Sequence, residues 1–211
     1  MSNHDRIIIS WLELRRLIGF IGIVHPVLLY LGGVIIFSTG LQSSMSAYYY
    51  TGMRGVFVGL GFVIGFFLLS YKGYDKQDRI VSAVAGGASI VVALFPAAPD
   101  FAPTDQQKLI GIVHVISAFI FLLALSYFCL MLFPKSGDAT PTPAKLKRNR
   151  IYRVTGIIII LCLAFVGFYF IPTPFQALIK PYHPVYFAEL ISFWAFGAAW
   201  VVKGEAILGD G

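Results

Sequence analysis

Long apolar runs, separated by short polar and basic stretches, organise the chain. Six of them, over residues 17–38, 53–71, 80–98, 109–133, 151–171 and 185–203, are long enough to cross a membrane. A helix rising about 1.5 Å per residue needs roughly 20 mostly apolar residues to cross a hydrocarbon layer about 30 Å thick. The runs are continuous rather than alternating, so they predict helices and not barrel strands. Residues 6–16 hold Ile7, Ile8, Ile9, Trp11, Leu12 and Leu14 but are short and carry Glu13, Arg15 and Arg16 at their end. They predict an interfacial helix lying on the membrane. The first run exceeds the roughly 7–15 apolar residues of a secretory leader, and no A-x-A site follows it, so it is expected to remain as a span.

The distribution of charge sets the threading. Arg6, Arg15, Arg16, Lys72, Lys76, Arg79, Lys135, Lys145, Lys147, Arg148, Arg150, Arg153 and Lys203 fall on one side of an alternating six-span path, and only Arg54, Lys108 and Lys180 on the other. Basic residues in short loops favour the cytoplasmic side. The expectation is therefore an all-α, six-transmembrane helical bundle with a short N-terminal interfacial helix and both termini cytoplasmic. Its parts are residues 1–16 as the interfacial segment, 17–204 as the bundle and 205–211 as a tail. Within the bundle, residues 134–150 contain Ser-Gly-Asp-Ala-Thr-Pro-Thr-Pro-Ala and then a basic cluster, and predict a flexible cytoplasmic linker.

Composition removes the other classes. Hydrophobic residues make up 58% and charged residues 12%, against the roughly 25% charged of a soluble domain. A net charge of +6 raises nucleic acid as a partner, but a nucleic-acid binder gathers its basic residues on one face of a folded core. Here they lie between apolar runs, so membrane lipids and not nucleic acid are the expected partners. An aromatic content of 16% argues against disorder, and the two cysteines, Cys129 and Cys162, make no disulfide framework. Gly55, Gly59, Gly61 and Gly65 in the second run and Ala83, Gly86, Gly87 and Ala88 in the third let helices approach closely. Packing within one chain accounts for them without a dimer. Pro26 and Pro96 are expected to bend or end their helices. The pentapeptide Ile-Gly-Ile-Val-His occurs at 21–25 and again at 110–114, too short a match in apolar helices to establish an internal repeat.

Ionisable groups inside the spans carry the candidate chemistry, because each costs about 2.5–3.5 kcal/mol at a helix centre. They are His25, His114 and Glu189. Glu189 and His114 sit about one turn into helices that both begin on the outer side, at similar depth. Arg54 opens its span at the same surface behind Tyr48, Tyr49 and Tyr50, while Ser117 and Ser192 each follow a polar residue by three positions on the same helix face. An outer polar cluster results. Glu189 and His114 are the candidate catalytic acid and base, and Arg54, Tyr48, Tyr49, Tyr50, Ser117 and Ser192 the candidate ligand-binding groups. A plainer alternative is a Glu189–Arg54 ion pair that fixes helix packing. No cofactor is expected; the one metal alternative, zinc on His114, His183 and Glu189, lacks the HxxxH or HExxH spacing. His25 beside Pro26 is expected to hydrogen-bond a freed carbonyl, and Lys203 to snorkel to the cytoplasmic edge.

Several stretches carry a resemblance: Ser46-Ala-Tyr-Tyr-Tyr-Thr-Gly-Met-Arg-Gly-Val-Phe-Val-Gly59, Tyr71-Lys-Gly-Tyr-Asp75, Val113-His-Val-Ile-Ser-Ala118, Lys147-Arg-Asn-Arg-Ile-Tyr-Arg153 and Trp200-Val-Val-Lys-Gly204. Together they resemble a family of small bacterial multi-span membrane proteins known as a domain of unknown function. The resemblance implies a polytopic helical bundle in the inner membrane and brings no activity with it. A more distant similarity is to membrane hydrolases of the alkaline ceramidase type, which use zinc with an HxxxH pair; this chain has His114 and Ser117 without that pair. Three functions are carried forward: binding of a lipid or amphiphile in an outer-leaflet pocket, intramembrane lipid hydrolysis, and small-solute or proton-coupled transport.

Overall fold

The computed structural model describes residues 10–136 and 140–209, and among them the fold is all helical. Ser10 starts α1 (Trp11–Phe37) through a reciprocal cap: its hydroxyl accepts the Glu13 N–H at 3.1 Å and the Glu13 carboxylate accepts the Ser10 N–H at 2.9 Å. That pair satisfies two N–H groups that a helix start leaves open. The helix then runs unbroken through residues 16 and 17. The separate interfacial helix expected over 6–16 is therefore, from Trp11 on, the first turns of α1, while residues 1–9 lie outside the described residues. The Arg16 guanidinium reaches across to the Gly204 carbonyl at 2.8 Å, which gives the charge a polar partner where a break had been expected.

The remaining helices are α2 (Arg54–Ser70), α3 (Lys76–Leu94), α4 (Asp105–Tyr127, continued by a π-helical turn Phe128–Leu132), α5 (Pro143–Tyr169), the short α6 (Pro174–Ile179) and α7 (Pro184–Lys203). Helices α1, α3, α4 with its π turn, α5 and α7 are long and apolar enough to cross a membrane. The sixth expected span, α2, has 17 residues and is apolar but shorter. The expected linker over 134–150 is corrected in its second half. Thr142 caps α5 by accepting the Lys145 N–H at 3.0 Å and Pro143 takes the first helical position, so the basic run 145–150 is helical. Proline is pre-shaped for that position and loses no bond there. Residues 137–139 of that linker lie outside the described residues.

Six helices close into a ring: α1 packs on α2 and on α7, α2 on α3, α3 on α4, α4 on α5, and α5 on α7. Two glycine contacts set the tightest seams. A Cβ on Gly197 would stand 2.5 Å from the Gly19 carbonyl across the α1–α7 seam, and one on Gly86 would stand 2.7 Å from the Gly65 carbonyl across α2–α3. Gly55 and Gly59 face open space instead. Outward faces carry exposed Phe20, Ile35, Ile112, Ile116, Ile157 and Leu161. So broad an apolar exterior suits lipid and not water. The chain has the structure of a membrane protein.

The two ends of the ring differ. At the end where α1 begins, aromatic rings fill the centre: Trp200 stands edge-on to Phe67 at 4.9 Å, Phe133 at 5.0 Å and Tyr71 at 5.2 Å, with Phe128 and Phe196 behind. Basic groups ring that core; Lys135 pairs with Asp75 at 2.9 Å and Lys203 lies over the Tyr74 and Phe133 rings. At the other end the chain between α1 and α2 folds inward and the centre is polar.

Candidate functional site

The inward-folded segment is built on a one-and-a-half-turn 3-10 helix, Ser46–Tyr50. Its hydroxyl-rich approach, Ser43-Ser44-Met45, is tied on three sides. The Tyr186 N–H donates to the Ser43 carbonyl at 3.2 Å, the Ser43 hydroxyl donates to Asp100 at 2.6 Å, and the Met45 N–H donates to the Glu189 carboxylate at 2.6 Å. Tyr50 adds a fourth tie by donating to the Ala97 carbonyl at 2.7 Å. Irregular backbone at membrane depth persists only where protein satisfies it, and Glu189 does so here for Met45.

His114 is held as firmly. Its Nδ1 lies 2.6 Å from the Phe95 carbonyl oxygen and its Nε2 lies 2.8 Å from the Ser46 hydroxyl oxygen. A carbonyl only accepts, so Nδ1 carries the proton; in the neutral imidazole Nε2 is then the acceptor and Ser46 the donor. The Phe95 carbonyl is available because α3 stops at Leu94, with Phe95 extended ahead of Pro96. Proline pushes the residue before it out of the helical region, which is how Pro96 comes to orient an imidazole on the next helix.

Glu189 stands where two small cavities meet. The inner one, about 80 Å³, has Ser44, Ser46, His114, Cys162, Glu189 and Ser192 among its walls. The deeper one, about 50 Å³, has His25, Ser46, Phe57, Ser89, Phe193 and Glu189. One probe-sized space of roughly 10–15 Å³ already admits a water, so the inner cavity has room for a small polar group. Toward the end of the ring away from the start of α1 it shares Ser44, Ala97, Val115, Phe170 and Val185 with a groove of about 820 Å³. Its walls come from α4, from the segments around residues 43–47 and 97–100, and from residues 169–185, and Asp100, Lys108, Lys180 and His183 supply its charged and imidazole groups.

The structure thus brings together Glu189, His114 and Ser192 of the residues expected in the cluster. Ser192 donates to its own helix at the Ala188 carbonyl, 2.8 Å away. Arg54 does not join them, and the ion pair with Glu189 is not formed. Its guanidinium is exposed, lies 4.1 Å over the Tyr49 ring and donates to the Tyr49 hydroxyl. The reason is rotational: α2 packs against α3 and α1, and Arg54 begins it on the outward side. Tyr48 is fully buried among Leu29, Met45, Met53, Phe57 and Tyr186, and Ser117 is buried outside these three cavities. His183 lies in the outer groove, away from the walls of the inner cavity. The zinc alternative finds no gathered donors, since among the described residues no three His, Cys, Asp or Glu side chains are placed to hold a metal ion. Both nitrogens of His114 are already engaged.

His25 departs from expectation. Neither ring nitrogen has a hydrogen-bond partner, and the imidazole is packed edge-on to Phe193 at 5.3 Å with Phe57 at 6.2 Å. The hydroxyl of Tyr186 reaches that part of α1 instead, donating to the Pro26 carbonyl at 2.7 Å. Ser46, the Met45 N–H and the Phe95 carbonyl are the parts that sequence reasoning missed. Their one side-chain signal is the cluster of hydroxyls at Ser43, Ser44 and Ser46 just before the tyrosines.

The chain matches no protein-family model, no curated protein and no solved structure.

Proposed function

We propose that the protein is a six-span inner-membrane protein, both termini cytoplasmic, that takes an amphiphile from the outer leaflet into a blind polar pocket. The single observation that carries this reading is the shared wall between the large apolar groove and the small cavity holding Glu189 and His114. An acyl chain fits the groove, and a polar group on that chain fits the cavity. Lipid tails are as apolar as the groove, so a ligand arriving from the bilayer gains little hydrophobic energy by entering. Selection rests on the polar groups: Lys108 and Lys180 toward the surface, and Glu189, His114 and Ser46 within. The aromatic core around Trp200 argues against the transport alternative, because it fills the ring beyond His25 with packed rings.

Native mass spectrometry of the purified chain tests the reading. A bound amphiphile of defined mass is expected on the wild type and lost in Val115→Trp, which closes the neck between groove and cavity. A wild-type chain free of amphiphile, or a Val115→Trp chain with full occupancy, would overturn it.

A further inference from the structure

The contact between Ser46 and His114 has the geometry of an activated nucleophile. Three parts are required: an oxygen within about 2.6–3.2 Å of a base, a base whose free nitrogen faces that oxygen, and a third group fixing the base in that tautomer. Ser46 Oγ lies 2.8 Å from His114 Nε2, and the Phe95 carbonyl 2.6 Å from Nδ1 supplies the third part. Both side chains are more than nine-tenths buried yet line the inner cavity. That cavity adjoins the outer groove, so a carbonyl group on a seated chain reaches Ser46 while bulk water is largely excluded. Ser44, whose hydroxyl accepts the Ala47 N–H at 3.0 Å, lines the same cavity and offers an O–H donor for a developing oxyanion.

We propose that Ser46 and His114 form a metal-free catalytic pair that hydrolyses the carboxylic ester of an amphiphile seated in the outer groove. This rests on the amphiphile-binding reading and adds a reaction to it. Ser46 Oγ attacks the ester carbonyl carbon and its proton passes to His114 Nε2. The carbon–oxygen bond to the leaving group breaks, and the leaving oxygen takes that proton and departs as the alcohol. Water then gives a proton to Nε2 as its oxygen attacks the acyl carbon; the bond to Ser46 breaks, the proton returns to Oγ and the carboxylic acid is released. The Glu189 carboxyl group lies on the same cavity wall, anchoring Met45 immediately before the nucleophile.

An alkyl fluorophosphonate, which captures serine nucleophiles held by a base, tests the proposal on the full chain in nanodiscs. Peptide mass spectrometry is expected to place the adduct on Ser46, and His114→Gln to slow labelling by about 10²-fold or more, the span associated with a positioned base. Long-chain ester substrates are expected to release fatty acid with the wild type and not with Ser46→Ala. No adduct, an adduct elsewhere than Ser46, or equal labelling of His114→Gln would overturn it. The wild-type adduct needs no variant, so a variant that failed to fold would leave the decision intact. Native mass spectra separate the two readings: a chain that carries amphiphile but is never labelled loses the reaction and keeps the binding, and a chain that is labelled but empty keeps the activated nucleophile and loses both the binding and the seated substrate.

Discussion

The Glu189 carboxylate on α7 accepts the backbone N–H of Met45 across a sequence separation of 144 residues, at 2.6 Å. One side chain thereby joins the last helix to the segment between the first two. Removing the acceptor strands a buried donor, which costs about 1–3 kcal/mol. Glu189→Ala is therefore expected to lower unfolding stability in mixed micelles by that amount, whereas Glu189→Gln keeps an oxygen and loses less. Arg54→Ala, exposed and bound only to Tyr49 among these groups, is expected to stay within about 0.5 kcal/mol. Equal losses for Glu189→Ala and Arg54→Ala would indicate the ion pair after all.

His25 makes the opposite case. A buried polar group without a partner costs about 1–3 kcal/mol on protein scales, and both His25 nitrogens are in that position. Replacement by an apolar side chain of similar bulk removes the penalty. His25→Leu is expected to equal or exceed the wild type by about 1 kcal/mol, read by denaturant unfolding. A marked loss of stability would mean that the imidazole has a polar role in the empty protein.

Gly197 and Gly59 separate tight seams from idle glycines. A Cβ at position 197 meets the Gly19 carbonyl at 2.5 Å and the Ile23 nitrogen at 2.9 Å, both backbone atoms that yield only if α1 and α7 part. Overpacking of that kind costs about 1–3 kcal/mol, so Gly197→Ala is expected to lower the melting temperature. Gly59→Ala meets nothing within 4 Å and is expected to be neutral or slightly stabilising, since alanine favours a helix by about 1 kcal/mol over glycine.

Acid sensitivity is expected at the start of α3. Asp75 caps that helix, and the Lys135 ammonium bonded to it at 2.9 Å, with the Asp78 N–H, holds its carboxyl below the usual value of 3.8. A depressed folded-state value means the stabilisation is complete above about 3.8 and disappears as pH falls through the lower value. Helix content followed by circular dichroism should show a loss in that acid window that Asp75→Asn lacks. An identical acid profile for the two chains would count against the cap.

How far the fold could be read in advance varied with the physics. Each of the six apolar runs coincides with a helix, five of them long and apolar enough to cross a membrane and α2 shorter, because a continuous apolar run closes its backbone bonds within itself. Helix ends were less legible: nothing in the composition of residues 6–16 distinguished a helix on the membrane from the first turns of α1, a matter settled by the Ser10 and Glu13 cap. Depth along a helix is only a rough guide to Glu189 and His114: α4 starts at Asp105, ahead of its apolar run, so His114 lies deeper in its helix than Glu189 does in α7, yet the two line one cavity. Rotation about the axis is not encoded in depth, so Arg54 shares their end of the ring and yet faces outward. The Ser46–His114–Phe95 chain leaves the faintest trace in the sequence, because one of its links is a carbonyl whose availability follows from Pro96 and not from any polar side chain.

The packed rings around Trp200 make the protein a cul-de-sac. On the proposed binding reading, whatever reaches Glu189 has to retreat by the route through which it arrived, so filling and emptying would both answer to one leaflet. A membrane whose two faces differ in composition would be sampled on a single side, with the opposite monolayer out of earshot.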